Sequence, residues 1–246
     1  MQKPSKRPSP PTRRRGTAAH FIEDKLGLGL VTFTLEELLQ KGGLSRTAAR
    51  NQLLHLGWKV TRVAPRQEFF LILSPEQRAL GAPPVAWWLD AYFRWLGRPY
   101  YVALQSAAAE YGVMPQAIQV VQVMTDKPRR ELALGRIRLQ FFVKKRIDRT
   151  PVDSVQNAYA ALIISTREAT CLDLIRYAAR IGGMERAAET IRPLLPHLDR
   201  RKILRTLAAE DDPKTTQRFE QILAAFRHRT LASAVRHYLS HAGRNT

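Results

Sequence analysis

Residues 34–57 read TLEELLQKGGLSRTAARNQLLHLG, and their reading decides what folds at this end of the chain. Thr34 followed three residues later by Glu37 is a capping box. The threonine side chain serves one free amide of the first helical turn, and the glutamate reaches back to serve another. Leu35, Leu38 and Leu39 supply the apolar face of the helix that follows. Lys41-Gly42-Gly43 stops it, because glycine alone enters left-handed backbone without cost. Ser45 caps a further helix, Arg46 to Leu56, which Gly57 closes. In it Ala49, Leu53 and Leu56 stand at i, i+4 and i+7, one buried stripe. Two short helices joined by a glycine turn make a helix-turn-helix.

Working outward, His20–Gly29 reads as a short preceding helix with Phe21, Leu26 and Leu28 turned inward. After Gly57 the period changes. Trp58–Val63 and Glu68–Leu73 are strand-like runs on either side of Ala64-Pro65-Arg66-Gln67, which predicts a hairpin, the wing of a winged helix-turn-helix. Leu80-Gly81-Ala82-Pro83-Pro84 is the best linker candidate. Residues 1–16 carry six basic side chains, four prolines and no acid. Such a segment buries too little apolar surface to offset its ordering entropy, so a disordered basic arm is expected there. It either tracks a DNA backbone or enters a minor groove, as basic arms do, or is a solvated tail.

A larger domain is expected over 85–246. Val85–Leu96 is an aromatic-rich helix with Trp87, Trp88, Tyr92, Phe93 and Trp95, a composition that reads as core rather than as a base-stacking platform. Tyr100–Tyr111 reads as a helix, Ile118–Met124 as a strand, and Arg136–Val143 as a strand that alternates Ile137, Leu139, Phe141 and Val143 with Arg136, Arg138 and Gln140. A small sheet over about 100–150 is therefore expected, followed by helices over about 165–242. The fold class is α+β, mostly helical: an N-terminal winged helix-turn-helix over 17–80, then a mixed α/β domain with a helical C-terminal part.

The 40 Lys and Arg against 21 Asp and Glu give a net charge of +19. A chain so basic meets a polyanion, since each neutralised phosphate releases counterions. A recognition helix reads bases from its N-terminal, groove-facing positions. Here that face displays Ser45, Arg46, Thr47, Arg50 and Asn51. Arg46 and Arg50 are one turn apart and suited to guanine O6/N7, Asn51 to adenine, Ser45 and Thr47 to phosphate. Lys59, Arg62 and Arg66 on the wing would follow the backbone or enter a minor groove. No acid lies between Gly42 and Pro65. The alternatives are a winged helix used for protein contacts and an RNA-binding module, because net charge does not distinguish one polyanion from another.

Catalysis finds little support. His20, His55, His197, His228, His237 and His241 are scattered, and no phosphate loop, dinucleotide fingerprint or nucleophile elbow is present. Asp126, Glu131 and Asp148 are too dispersed for a nuclease cluster. Asp173, within an apolar helical pattern, reads as a buried hydrogen-bonding acid, and Cys171 as a small core residue. No enzyme activity, metal or cofactor is expected. With one cysteine, no membrane-length apolar run and no apolar leader, the chain reads as cytoplasmic, away from any membrane.

Several separated stretches resemble one family in the right order. They are Leu73-Ser74-Pro75-Glu76, Gly81-Ala82-Pro83-Pro84, Arg98-Pro99-Tyr100-Tyr101-Val102-Ala103-Leu104 with Ser106-Ala107-Ala108, Gln119–Thr125, Gly135–Phe142, and Ser165–Leu174. Together they look like the AbiEi antitoxins of type IV toxin–antitoxin systems, over roughly Leu26 to Leu223. The family usually has a His-Gly-like pair where this chain has Tyr111-Gly112, and often a proline at the position of Arg167. The resemblance implies an autorepressor that binds inverted repeats of double-stranded DNA in its own promoter. It also implies a larger domain that counteracts a nucleotidyltransferase-like toxin without a stable complex.

Overall fold

The computed structural model describes residues 17–113 and 120–242. The basic segment 1–16, and Ile118 and Gln119 of the expected strand, lie outside the described residues. The chain divides into two compact units, Met1–Arg78 and Ala79–Thr246.

In the first unit the order is α1 (Ala18–Gly27), β1 (Thr32–Thr34), α2 (Leu35–Gly42), α3 (Arg46–Leu56), β2 (Val60–Arg62) and β3 (Phe69–Ile72). The capping box at Thr34 and Glu37 forms with both of its bonds, and Gly43 closes α2 in left-handed backbone. The Ser45 side chain accepts from Ala48 N, and Gly57 ends α3 at φ 54°. β3 lies between β1 and β2 and is antiparallel to both. Its four residues are all buried. Phe33, Phe70 and Ile72 of the sheet pack with Phe21, Ile22, Leu35, Leu38 and Ala49 of the helices. Phe33 and Phe70 stack at 5.1 Å, and Phe21 meets Phe33 edge-on.

The inward face of α1 departs from the sequence expectation. Phe21 is buried, but Leu26 is 40 % and Leu28 75 % exposed, while Ile22 and Lys25 face inward. The buried stripe is Ala18, Phe21, Ile22 and Lys25, and the lysine on it is paired: Lys25 Nζ donates to Glu37 Oε1 at 2.9 Å. The glutamate that caps α2 thus also docks α1. Burial pushes the Glu37 carboxyl up, but Lys25 and the amide of Thr34 outweigh it and hold it below its usual range.

The second unit holds a six-stranded mixed sheet between helical layers. Its elements are α4 (Leu89–Leu96), β4 (Tyr100–Val102), α5 (Leu104–Glu110), β5 (Val120–Thr125), β6 (Leu132–Leu134), β7 (Ile137–Val143), β8 (Val152–Gln156) and β9 (Ala161–Ser165), followed by α6 (Arg167–Arg176), α7 (Gly183–Ile191), α8 (Arg200–Glu210), α9 (Pro213–Ala225) and α10 (Arg229–Ala242). The strand order is β6-β7-β5-β4-β9-β8. Tyr101, Met124 and Phe142 share one core with α6 to α10, in which Cys171 is fully buried. On α4, Phe93 stacks on Tyr100 at 4.5 Å and lies 6.3 Å from Phe141.

Two expectations are corrected here. Tyr100–Val102 is not the start of a helix but a strand between β5 and β9, with all three residues buried. A strand covered on both faces carries no alternation to betray it. The sheet also runs beyond 150, since β8 and β9 form an antiparallel hairpin reaching Ser165. The aromatic segment divides: Trp88, Tyr92 and Phe93 are fully buried, Trp87 stacks on Tyr159 at 3.7 Å, and Trp95 is 40 % exposed. The expected linker is ordered against its own unit. Arg136 N donates to Leu80 O at 2.9 Å, and Trp88 Nε1 to Pro83 O at 3.0 Å.

Candidate nucleic-acid interface

All eight residues singled out for DNA contact, Ser45, Arg46, Thr47, Arg50, Asn51, Lys59, Arg62 and Arg66, are exposed. Arg46 and Arg50 leave α3 on successive turns. Ala49 is buried in the unit's core, and Leu53 and Leu56 pack against that core. Arg66 occupies left-handed backbone, φ 65°, at the hairpin tip, a conformation that costs a non-glycine residue about 1–2 kcal/mol. The Arg62 guanidinium lies over the Phe70 ring at 5.2 Å, a cation–π contact. Arg50 and Arg62 line one groove of about 420 Å³, floored by Leu35, Leu53, Val60 and Phe70. Helix α3 and the hairpin therefore present their cations together.

The sequence reading missed an acid on this face. Glu68, at the foot of β3, accepts from Arg46 Nη1 at 2.5 Å, and the same oxygen lies 4.0 Å from Arg50 Nη2. The stretch from Gly42 to Pro65 is free of acids in sequence, but the hairpin brings one back in space. A 22-residue separation hides it from any local pattern.

The second unit carries a buried polar cluster that sequence showed only as Asp173. Lys144 Nζ donates to Tyr101 Oη at 3.1 Å, to Asp173 Oδ1 at 2.9 Å and to Glu210 Oε1 at 2.6 Å. An ammonium has three protons, so its donors are fully used. Tyr101 Oη donates to Asp173 Oδ2, and Thr150 Oγ1 to Glu210 Oε1. Arg176 donates to Glu210 Oε2 at 2.7 Å and to Asp212 Oδ2 at 3.1 Å. Burial pushes Glu210 up, but Lys144 and Arg176 together hold it below the usual carboxylate range. No buried side-chain nitrogen or oxygen among the described residues lacks a partner, and the cluster braces β4, the end of β7, α6 and α8 together. Asp126 and Glu131 are taken up by Arg98 and Arg138. Among the described residues no group of three or more His, Cys, Asp or Glu is placed to hold a metal ion. None of their helices is long and apolar enough to cross a membrane.

A family model described as the AbiEi antitoxin C-terminal domain matches residues 100–225. The chain belongs to the AbiEi antitoxin family. The match begins at β4 and ends with α9, so the AbiEi region holds the sheet, the brace of Lys144, Asp173 and Glu210, and most of the helical layer. No curated protein matches this AbiEi chain. Among solved structures it is similar to the RV2827C protein from Mycobacterium tuberculosis, with 16 % identity over 91 % of this chain and 80 % of that one, at a TM-score of 0.61. At that identity the likeness is one of fold, and its coverage leaves too little of the chain aside for either unit to be missing from it. Family membership gives this AbiEi protein an antitoxin's regulatory role, with a toxin as its counterpart.

Proposed function

We propose that this AbiEi protein is the antitoxin and transcriptional autorepressor of a type IV toxin–antitoxin operon. The first unit acts as a winged helix-turn-helix. Helix α3 enters the major groove and the β2–β3 hairpin lies along the flanking backbone. The observation that carries this reading is the groove that Arg50 of α3 and Arg62 of the hairpin line together, with Arg46, Lys59 and Arg66 exposed on the same unit. Arg46 and Arg50 read guanine edges, Asn51 reads adenine, and the remaining residues hold phosphates. Two copies on an inverted repeat of the operon's own promoter would exclude polymerase sterically. The larger unit counteracts a nucleotidyltransferase-like toxin without a lasting complex, a role that rests on family membership alone.

The test is binding of the purified protein to its own upstream duplex, against a scrambled duplex, at several salt concentrations. A preference for the upstream fragment that survives near-physiological salt and disappears in Arg46→Ala/Arg50→Ala supports the reading. Weak and equal binding that vanishes as salt rises overturns it. A protein-contact role would then be the better account, since Leu54, beside the Arg50–Arg62 groove, is 79 % exposed. Tighter binding of structured RNA than of either duplex would instead favour an RNA-binding module.

A further inference from the structure

The position of Glu68 is fixed without its side chain. Its carbonyl accepts from Leu35 N at 2.9 Å, which ties it to the first turn of α2, and it enters a strand whose residues are all buried. The carboxylate is thus held out from a rigid backbone toward α3. One of its oxygens faces two guanidiniums, bonded to Arg46 and 4.0 Å from Arg50. The three side chains are 39 %, 55 % and 61 % exposed for Glu68, Arg46 and Arg50, so water screens the contact and it adds little to folding. A stabilising role does not account for it.

We propose that Glu68 is a positioning residue for base readout: it holds Arg46 and Arg50 toward the floor of the major groove and keeps them off phosphates. This rests on the DNA-binding reading above. A guanidinium carries five N–H donors in a fixed fork. The Glu68 bond takes an Arg46 Nη1 proton and leaves the others for a two-point contact with guanine, so the ion pair persists in the cognate complex. Orienting the arginine beforehand reduces the rotamer entropy lost on binding. On duplex of the wrong sequence the same carboxylate repels the backbone and competes with it for the arginines. Glu68 thereby favours cognate DNA and disfavours all other DNA.

Glu68→Gln keeps the shape and removes the charge. Its expected signature is a change in ratio. Affinity for scrambled duplex and for heparin rises about two- to fivefold, the size of an exposed ion-pair effect. Affinity for the upstream duplex does not rise with them, so discrimination falls by a similar factor. An unchanged melting temperature shows that the fold is intact. In an Arg46→Ala/Arg50→Ala background the same substitution leaves the ratio unaltered. Wild-type discrimination that persists undiminished in Glu68→Gln overturns the role of Glu68 alone. Absence of discrimination by the wild type overturns the DNA reading, and this role with it.

Discussion

Lys144 Nζ meets Glu210 Oε1 at 2.6 Å across 66 residues of sequence, joining the end of the β7 segment to the last turn of α8. The two side chains are 6 % and 4 % exposed. A buried ion pair of this kind adds less stability than its distance suggests, because both ions left water to make it. Removing one partner is far more costly, because the other is left uncompensated.

Lys144→Met should therefore destabilise the second unit by about 3–5 kcal/mol. Urea unfolding followed by tryptophan emission measures it, since Trp87, Trp88 and Trp95 all lie in that unit. Adding Glu210→Gln should restore part of the loss by removing a buried charge that Arg176 alone is left to balance. A single variant as stable as the wild type would mean that the brace bears no weight.

Acid should act on the same cluster. Glu210 and Asp212 both have carboxyls held below their usual range, in each case against burial, Glu210 by Lys144 and Arg176 and Asp212 chiefly by Thr215 and Arg176. A depressed folded pKa contributes stability above the unfolded value, about 4.3 for a glutamate, and that contribution is lost as pH falls through the folded value. The urea midpoint of the second unit should hold steady down to about pH 5 and fall below it. The fall should be shallower in Lys144→Met, where Glu210 has lost one of its two cations.

How much of this was visible beforehand depended on range. The Thr34 box, the Ser45 cap and the Gly57 stop are contacts over three or four residues, and each stood where the sequence put it. The strand Tyr100–Val102 was hidden because burial on both faces erases the period of two. β8 was hidden for the opposite reason: Val152-Asp153-Ser154-Val155-Gln156 is an exposed edge strand with no apolar face to read. Leu26 and Leu28 are apolar but lie off the stripe of Ala18, Phe21 and Ile22 that faces the core, and Lys25 takes the fourth place on that stripe through its pair with Glu37. Of the candidate interface, the cations were legible as a run of residue types. Glu68 was not, since its place beside Arg46 exists only once the hairpin has closed.

The β6–β7 turn offers a test of close packing. Gly135 sits at φ +58°, and a Cβ there would lie 2.0 Å from Leu80 O. Gly135→Ala must push the Leu80–Gly81 segment away and break the Arg136-to-Leu80 bond. A loss well beyond the roughly 1 kcal/mol of backbone strain alone is expected. Gly112→Ala is the control: it has the same sign of φ but nothing among the described residues within 4 Å of the added carbon. Thermal melts of the two variants should separate clearly, and equal shifts would remove the steric argument.

On DNA, Arg50→Ala and Lys59→Ala should fail differently. Arg50→Ala should cost about 1–3 kcal/mol on the upstream duplex and relax preference at one base pair. Lys59→Ala should weaken binding to every duplex alike and flatten the salt dependence by about one counterion. Equal losses from both on upstream and scrambled DNA would contradict the assigned roles.

The lone thiol of Cys171 has a practical consequence. It lies fully enclosed in the core beneath the sheet, and burial pushes its pKa up, so a thiol reagent cannot reach it as a thiolate while the second unit is closed. Labelling can then proceed only through opening of that unit, which makes the labelling rate a clock for its transient unfolding. Because the chain has no second cysteine, the clock runs without engineered substitutions and without signal from the first unit. The same intact protein could be timed alone, on DNA and beside its toxin, and any ligand that steadies the second unit would register as a slower tick.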